Sequence, residues 1–192
     1  MEADEALRLI TAAVPEGPGV WADFGAGDGT FTRALATRLG RGARIYAVDR
    51  DARALRALAR AAVGGAAEVT IVGADLGHAF GLPGTDPGTL DGFLLANTLH
   101  FIPHQAEVLA RLARWLKPGG MAVVIEYDRR SPSRWVPYPV DADDLPELFT
   151  AAGLIPAQIV ARADSAFGGE LYVATGQKAV RRARRRPRRV MR

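Results

Sequence analysis

Three aspartates in the first 75 residues each follow a short apolar run: Asp23 in VWADF, Asp49 in RIYAVD and Asp75 in TIVGAD. The first is followed at once by Gly25, Gly27 and Gly29. A glycine-rich turn after a strand lets a ligand approach the backbone closely, and the helix behind it offers free N–H groups. The spacing narrows the ligand. A dinucleotide loop has its third glycine three residues after the second, but here Thr30 stands at that position and the pattern is G-x-G-x-G. No Gly-Lys-Ser/Thr follows, so the run is not a P-loop either. Asp23, two residues before Gly25, would repel a pyrophosphate and favours a ligand with a positive group nearby. Asp49 can accept both hydroxyls of a ribose as charge-assisted hydrogen bonds. NAD proteins share that device, so Asp49 points to an adenosine ribose without choosing the ligand. Asp75, or the backbone beside it, is placed to read an adenine edge. Singly, each acid is equally a turn or helix-cap aspartate. Together, at the ends of three successive strands, they read as one site.

The segments around these residues alternate between strand-like and helix-like patterns. Residues 3–13 read as a helix stopped by Pro15, and 20–24 as a strand. In 29–39, Phe31, Leu35 and Leu39 recur four apart on one helical face. Strands follow at 44–48, 68–72, 90–96 and 121–127, with helices at 51–62 and 104–116 between them. The fourth strand, LDGFLLA, is apolar on both faces, as a central parallel strand should be. KPGG (117–120) reads as a turn, and Asp141 or Asp143 as the cap of a helix near 143–152. The last two strands, near 154–162 and 169–175, have too short a linker for a crossover helix, which predicts an antiparallel hairpin at one edge. The whole predicts an α/β fold: a Rossmann-like, doubly wound, seven-stranded sheet, mostly parallel with an antiparallel C-terminal hairpin. Its ligand should sit beyond the carboxyl ends of the strands.

Composition divides the chain. Residues 1–17 carry the N-terminal helix, 18–177 the ligand-binding domain and 178–192 an arginine-rich tail. Residues 181–192 hold eight arginines and no acid; without them the formal +4 becomes −4. The high pI thus belongs to the tail, whose charge run reads as disordered and solvated. It offers a nucleic-acid contact through counterion release, but lacks interleaved aromatics for base stacking. No cysteine is present, which excludes disulfides and thiolate chemistry. The chain has no membrane-length apolar run and no signal-peptide pattern, which predicts a cytoplasmic protein without a membrane partner.

These residues resemble the class I S-adenosylmethionine-dependent methyltransferases. VWADFGAGDGT is similar to their first motif, IYAVDRD to the segment with the ribose acid, and VGADL to the adenine-contact segment. LDGFLLANTLHF resembles their fourth strand with its active-site exit, and LARWLKPGGMAVVIEY the helix-to-fifth-strand passage of the small-molecule branch. The likeness runs over residues 18–175 in the same order. It implies S-adenosyl-L-methionine as cofactor. Gly25, Ala26 and Gly27 would lie under its methionine part, with Asp23 near the ammonium. Asp49, beside Arg50, would hold the ribose, and Ala74, Asp75 and Leu76 would meet the adenine. Asn97 would sit at the methionine end and face the acceptor.

Methyl transfer from a sulfonium needs a base only when the acceptor must lose a proton. His100 and His104 are the candidates, and His100 reads equally as a packing or capping residue. Glu126 and Tyr127, at the end of the fifth strand, either line the pocket or close the sheet edge. Trp135 and Tyr138, in RRSPSRWVPYPV, either wall a substrate pocket or belong to a solvated loop; Arg129, Arg130 and Arg134 could neutralise an anionic substrate. Asn97-Thr98-Leu99-His100 lacks the Asn-Pro-Pro-aromatic run of relatives that methylate nucleobases or amides. The expected activity is therefore methylation of a small-molecule acceptor, without a metal. The alternatives are a catalytically silent cofactor-binding protein and a nucleic-acid methyltransferase anchored by the tail. The sequence leaves the oligomeric state open.

Overall fold

The computed structural model describes residues 3–61 and 67–180. The arginine run 181–192, and with it the tail's predicted nucleic-acid contact, lies outside the described residues; Lys178, the first residue of the expected tail, is instead ordered, pairing with Leu154 and donating its amide to the Gly120 carbonyl at 2.9 Å. Seven strands form one sheet in the order β3-β2-β1-β4-β5-β7-β6. β1 (Val20–Phe24), β2 (Arg44–Asp49), β3 (Glu68–Gly73), β4 (Leu90–Ala96) and β5 (Leu116–Tyr127) pair in parallel. β6 (Gln158–Asp164) and β7 (Glu170–Gln177) form an antiparallel hairpin that joins through β7 to β5. This is the expected Rossmann-like arrangement, and β5 is an interior strand rather than an edge.

The side-chain alternation of the strands feeds two cores. On one face Phe24, Tyr46, Phe93, Val124 and Tyr172 pack under α4 (Gln105–Ala113) and α5 (Leu145–Ala151). On the other, Trp21, Ile45, Leu94, Val123 and Val173 pack under α1 (Ala3–Ile10) and α2 (Thr30–Leu39). Each fully buried Leu or Ile is worth roughly 1.5–3 kcal/mol, so this two-sided covering carries most of the stability. A smaller group seats α3 (Ala52–Arg60) through Leu55 and Leu58 against Ala47. Trp21 lies beside Gly92 of β4, where a Cβ would come within 2.4 Å of the indole. The glycine in LDGFLLA is thus the space that admits the tryptophan.

Three sequence expectations shift. The KPGG segment is not a separate turn but part of β5: the ladder advances from Leu90–Leu116 to Gly92–Met121, so the run makes a wide bulge with Gly119 at φ 79°. α5 starts after Asp144, which makes no side-chain cap. The carboxylate of Asp141 instead accepts the Arg129 amide at 2.9 Å. Helix α1 ends at Ile10, well before Pro15, and the chain beyond is tied back by Arg38, whose Nε donates to the Val14 carbonyl at 2.8 Å.

Candidate cofactor cleft

The strand order reverses between β1 and β4, so the connections leaving their carboxyl ends part to opposite faces and open a crevice. A cleft of about 540 Å³ lies there. Its floor is the glycine loop. Gly25 and Gly27 have φ of 84° and 54°, a left-handed region that costs an L residue about 1–2 kcal/mol. Gly25 meets a second constraint, because a Cβ on it would lie 2.2 Å from Thr98 Oγ1. The loop is pinned to β2, with the Gly25 and Ala26 amides donating to the Val48 carbonyl at 2.7 and 3.0 Å.

On one side stand the exits of β2 and β3. Asp49 Oδ2 accepts the Gly27 amide at 2.8 Å, and Oδ1 accepts the Asp51 amide at 2.8 Å. The carboxylate thus fastens the glycine loop to the β2 exit, with one donor on each oxygen and lone pairs left over. Arg50, Ala74, Asp75 and Leu76 continue this wall. Asp75 Oδ1 accepts the Gly77 amide at 2.8 Å, and its other oxygen lies 3.8 Å from both Arg50 and His78.

Opposite is Asn97, just past β4. It has φ 50° and its amide donates to the Ile125 carbonyl at 2.8 Å. Its Oδ1 is buried without a hydrogen-bond partner among the described residues. Asn97 as a residue lines the cleft, and a buried acceptor left without a partner costs about 1–3 kcal/mol. The cleft is lined by the carboxylates of Asp49, Asp51 and Asp75 and by exposed Arg50.

Eight of the ten residues expected around the cofactor line this cleft; Asp23 and Ala26 do not. Asp23 lies beneath the loop, 1% exposed, its Oδ2 accepting the Thr32 hydroxyl at 2.6 Å. Burial pushes its carboxyl up to about 7; the Thr32 bond opposes that and the nearby Asp49 charge adds to it. None of the four residues expected on the acceptor side lines the cleft: His100, Tyr127, Trp135 or Tyr138. His100 is 2% exposed, with Nδ1 donating to Glu126 Oε2 at 2.6 Å. Tyr127 packs its ring 5.8 Å from the His100 ring, centroid to centroid, and the Arg130 guanidinium lies over it at 5.1 Å. Its phenol is pushed up, by burial first and then by Glu126, so it stays protonated at neutral pH. Trp135 is exposed beneath the Arg134 guanidinium, and Tyr138 is bound to the His100 carbonyl through its amide at 3.0 Å.

Residues 22–124 match the family model of the methyltransferase domain. The chain belongs to that family. Solved methyltransferases share its fold. An S-adenosylmethionine-dependent methyltransferase from Thermotoga maritima superposes with TM-score 0.71 at 19% identity, covering 92% of this chain and 89% of that one. One from Aquifex aeolicus gives 0.68 at 15%, covering 91% and 88%. The phosphoethanolamine N-methyltransferase 2 of Haemonchus contortus, solved with S-adenosyl-L-methionine, gives 0.69 at 14%, covering 92% and 52%. In sequence, 94 residues are 30% identical to a stretch of highly reducing polyketide synthase 2 of Gibberella zeae. That stretch is 49% of this chain and 3% of the synthase, so the chain spans a small fraction of that relative.

The methyltransferase cleft also includes residues that sequence reasoning did not single out: Asp51, Thr98, Gly77, His78, and the run Phe101, Ile102, Pro103. Asp51 reads from sequence as a helix start, which it also is, accepting the Arg53 amide at 2.7 Å. The Phe101–Pro103 run was hidden because it enters the cleft through a short 3-10 turn, Leu99–Phe101, with no periodic pattern to announce it. Among the described residues no group of His, Cys, Asp and Glu could hold a metal ion, and no helix is long and apolar enough to cross a membrane.

Proposed function

We propose that the chain is an S-adenosylmethionine-dependent methyltransferase that uses this cleft for the cofactor and methylates a small-molecule acceptor. One observation carries the reading. A left-handed glycine floor lies between Asn97 and a wall carrying the fixed Asp49 carboxylate with Asp51 and Asp75, an acceptor-rich set suited to a cationic nucleoside. The bound cofactor supplies a methyl group already activated on a sulfonium.

The chain's own residues then bind, orient and exclude water. Asp49, held by two amides, presents its remaining lone pairs to ribose hydroxyls. Ala74, Asp75 and Leu76 form the adenine wall. Gly25 and Gly27 would allow close approach of the methionine part, with Asn97 at that end of the cleft. Asp23 acts from below the loop, through charge rather than contact. Thr98, Phe101 and Ile102 bound the end of the cleft where the acceptor would enter. Positioning and desolvation supply most of the acceleration for such a displacement. Tyr127, Trp135 and Tyr138 are proposed as outer acceptor contacts. A small acceptor fits relatives such as the phosphoethanolamine enzyme, which acts on a small molecule by its name.

Isothermal titration calorimetry with S-adenosylhomocysteine tests the reading. Micromolar binding at one site per chain is expected. A folded protein that shows no binding up to millimolar concentrations overturns it. A screen of small-molecule acceptors with labelled methyl donor then reads transfer.

A further inference from the structure

We propose that Glu126 and His100 are positioning residues, a buried clamp that shapes the acceptor-side wall of the cleft without touching what binds there. The proposal rests on the cleft being the cofactor site. Glu126, at the end of β5, is 1% exposed. Its Oε1 accepts three successive backbone amides of the β4 exit: Thr98 at 3.0 Å, Leu99 at 2.8 Å and His100 at 3.2 Å. Its Oε2 accepts His100 Nδ1 at 2.6 Å. Three consecutive amides converging on one point form a concavity that calls for an anion, and here the protein supplies the anion from the neighbouring strand.

The consequence reaches the cleft through the backbone. Asn97 sits in the left-handed region, held before the clamp by the Ile125 carbonyl and after it by Glu126. Thr98 Oγ1 donates to the Ala96 carbonyl at 3.0 Å and reaches the Gly25 carbonyl at 3.4 Å, so the turn presses on the glycine floor. Asn97, Thr98, Phe101 and Ile102 line the cleft, whereas Glu126 and His100 stand behind them. The His100 ring backs Phe101 at 4.2 Å between centroids. Its carbonyl holds the Tyr138 amide, and Gln105 Nε2 bridges the Leu99 and Tyr138 carbonyls at 3.2 and 2.8 Å. One carboxylate thus sets the wall and anchors the loop beyond it. This gives His100 a supporting part, nearer to the packing or capping role the sequence also allowed than to that of a base.

The test uses the full chain and four proteins: wild type, Glu126→Gln, His100→Ala and His100→Asn. Glutamine keeps the shape of Glu126 but turns a donor toward His100 Nδ1. Asparagine at 100 still offers an amide donor to Glu126, whereas alanine does not. In Glu126→Gln and His100→Ala, the Kd for S-adenosylhomocysteine is expected to rise at least about tenfold, as for loss of a hydrogen bond to a charged group. Amide exchange read by mass spectrometry should speed up in residues 97–102 and stay unchanged in α2 and β2. His100→Asn should stay within about threefold of wild type, the usual range for a tolerated change. Wild-type affinity and exchange in Glu126→Gln would overturn the proposal, as would His100→Asn falling as far as His100→Ala. Should Glu126→Gln not fold, the two His100 variants decide alone. A wild-type chain that fails to bind would overturn the cofactor reading instead, and the exchange comparison of the His100 variants would still read the clamp.

Discussion

Asp23 makes the stability of this methyltransferase depend on pH in an unusual direction. Its carboxyl ionises near 3.8 when free and at about 7 in the folded chain, because burial disfavours the charge. Between those values the native state holds a proton that the unfolded state has released. The unfolded chain binds fewer protons there, so stability falls as pH rises. The contribution is fully present below about pH 3.8 and is lost as pH climbs through about 7. At about 1.4 kcal/mol per pH unit, the loss across the window is on the order of 4 kcal/mol. Asp23→Asn removes the titration but keeps an acceptor for the Thr32 hydroxyl. The variant should therefore melt a few degrees above wild type near pH 5, where about 2 kcal/mol of the contribution has gone, and by a wider margin at pH 8.5. For a domain of this size, 1 kcal/mol moves Tm by about 2–4 °C, so the gap should be of the order of 10 °C. Thermal unfolding followed by circular dichroism from pH 5 to 8.5 measures it. A gap that does not change with pH would refute the buried, proton-holding assignment. The same acid ties stability to function: a cationic ligand above the loop favours the ionised form, so binding should strengthen as pH rises through 7 in wild type and not in the variant.

Other variants probe the remaining joints. Asp49→Ala should weaken S-adenosylhomocysteine binding by roughly 1.5–3 kcal/mol, about 10- to 150-fold in Kd by calorimetry; unchanged affinity would remove Asp49 from the site. Gly25→Ala puts a Cβ 2.2 Å from Thr98 Oγ1 at φ 84°, and should cost at least about 2 kcal/mol in denaturant unfolding and abolish ligand binding. Asp128 is held below the usual carboxylate range: burial would raise it, but the Ala142 amide, the Arg162 hydrogen bond and the Arg162 charge together win. Its stabilisation is present above the free value and lost as pH falls through the folded one, so Asp128→Asn should flatten the acid limb of the stability curve, read by Tm below pH 4.

Much of this was written locally. The exits of β1, β2 and β3 are legible because a short apolar run with an aspartate at or near its end is a short-range pattern, and a parallel order then places Asp49 and Asp75 on one edge. The apolar fourth strand announced its interior place. What the sequence could not supply was which way a side chain turns once its strand is buried on both sides. Asp23 sits one residue inside β1, and strand alternation sends it toward Thr32 on α2 and away from the cleft. His100 and Glu126 are 26 residues apart in the chain and meet only because β4 and β5 pair in register. Residue types and spacing determined the cleft-lining acids Asp49 and Asp75, since those follow from strand ends. Tertiary pairing alone decided which polar groups became support, because a buried carboxylate takes whatever donors the neighbouring strand brings to it.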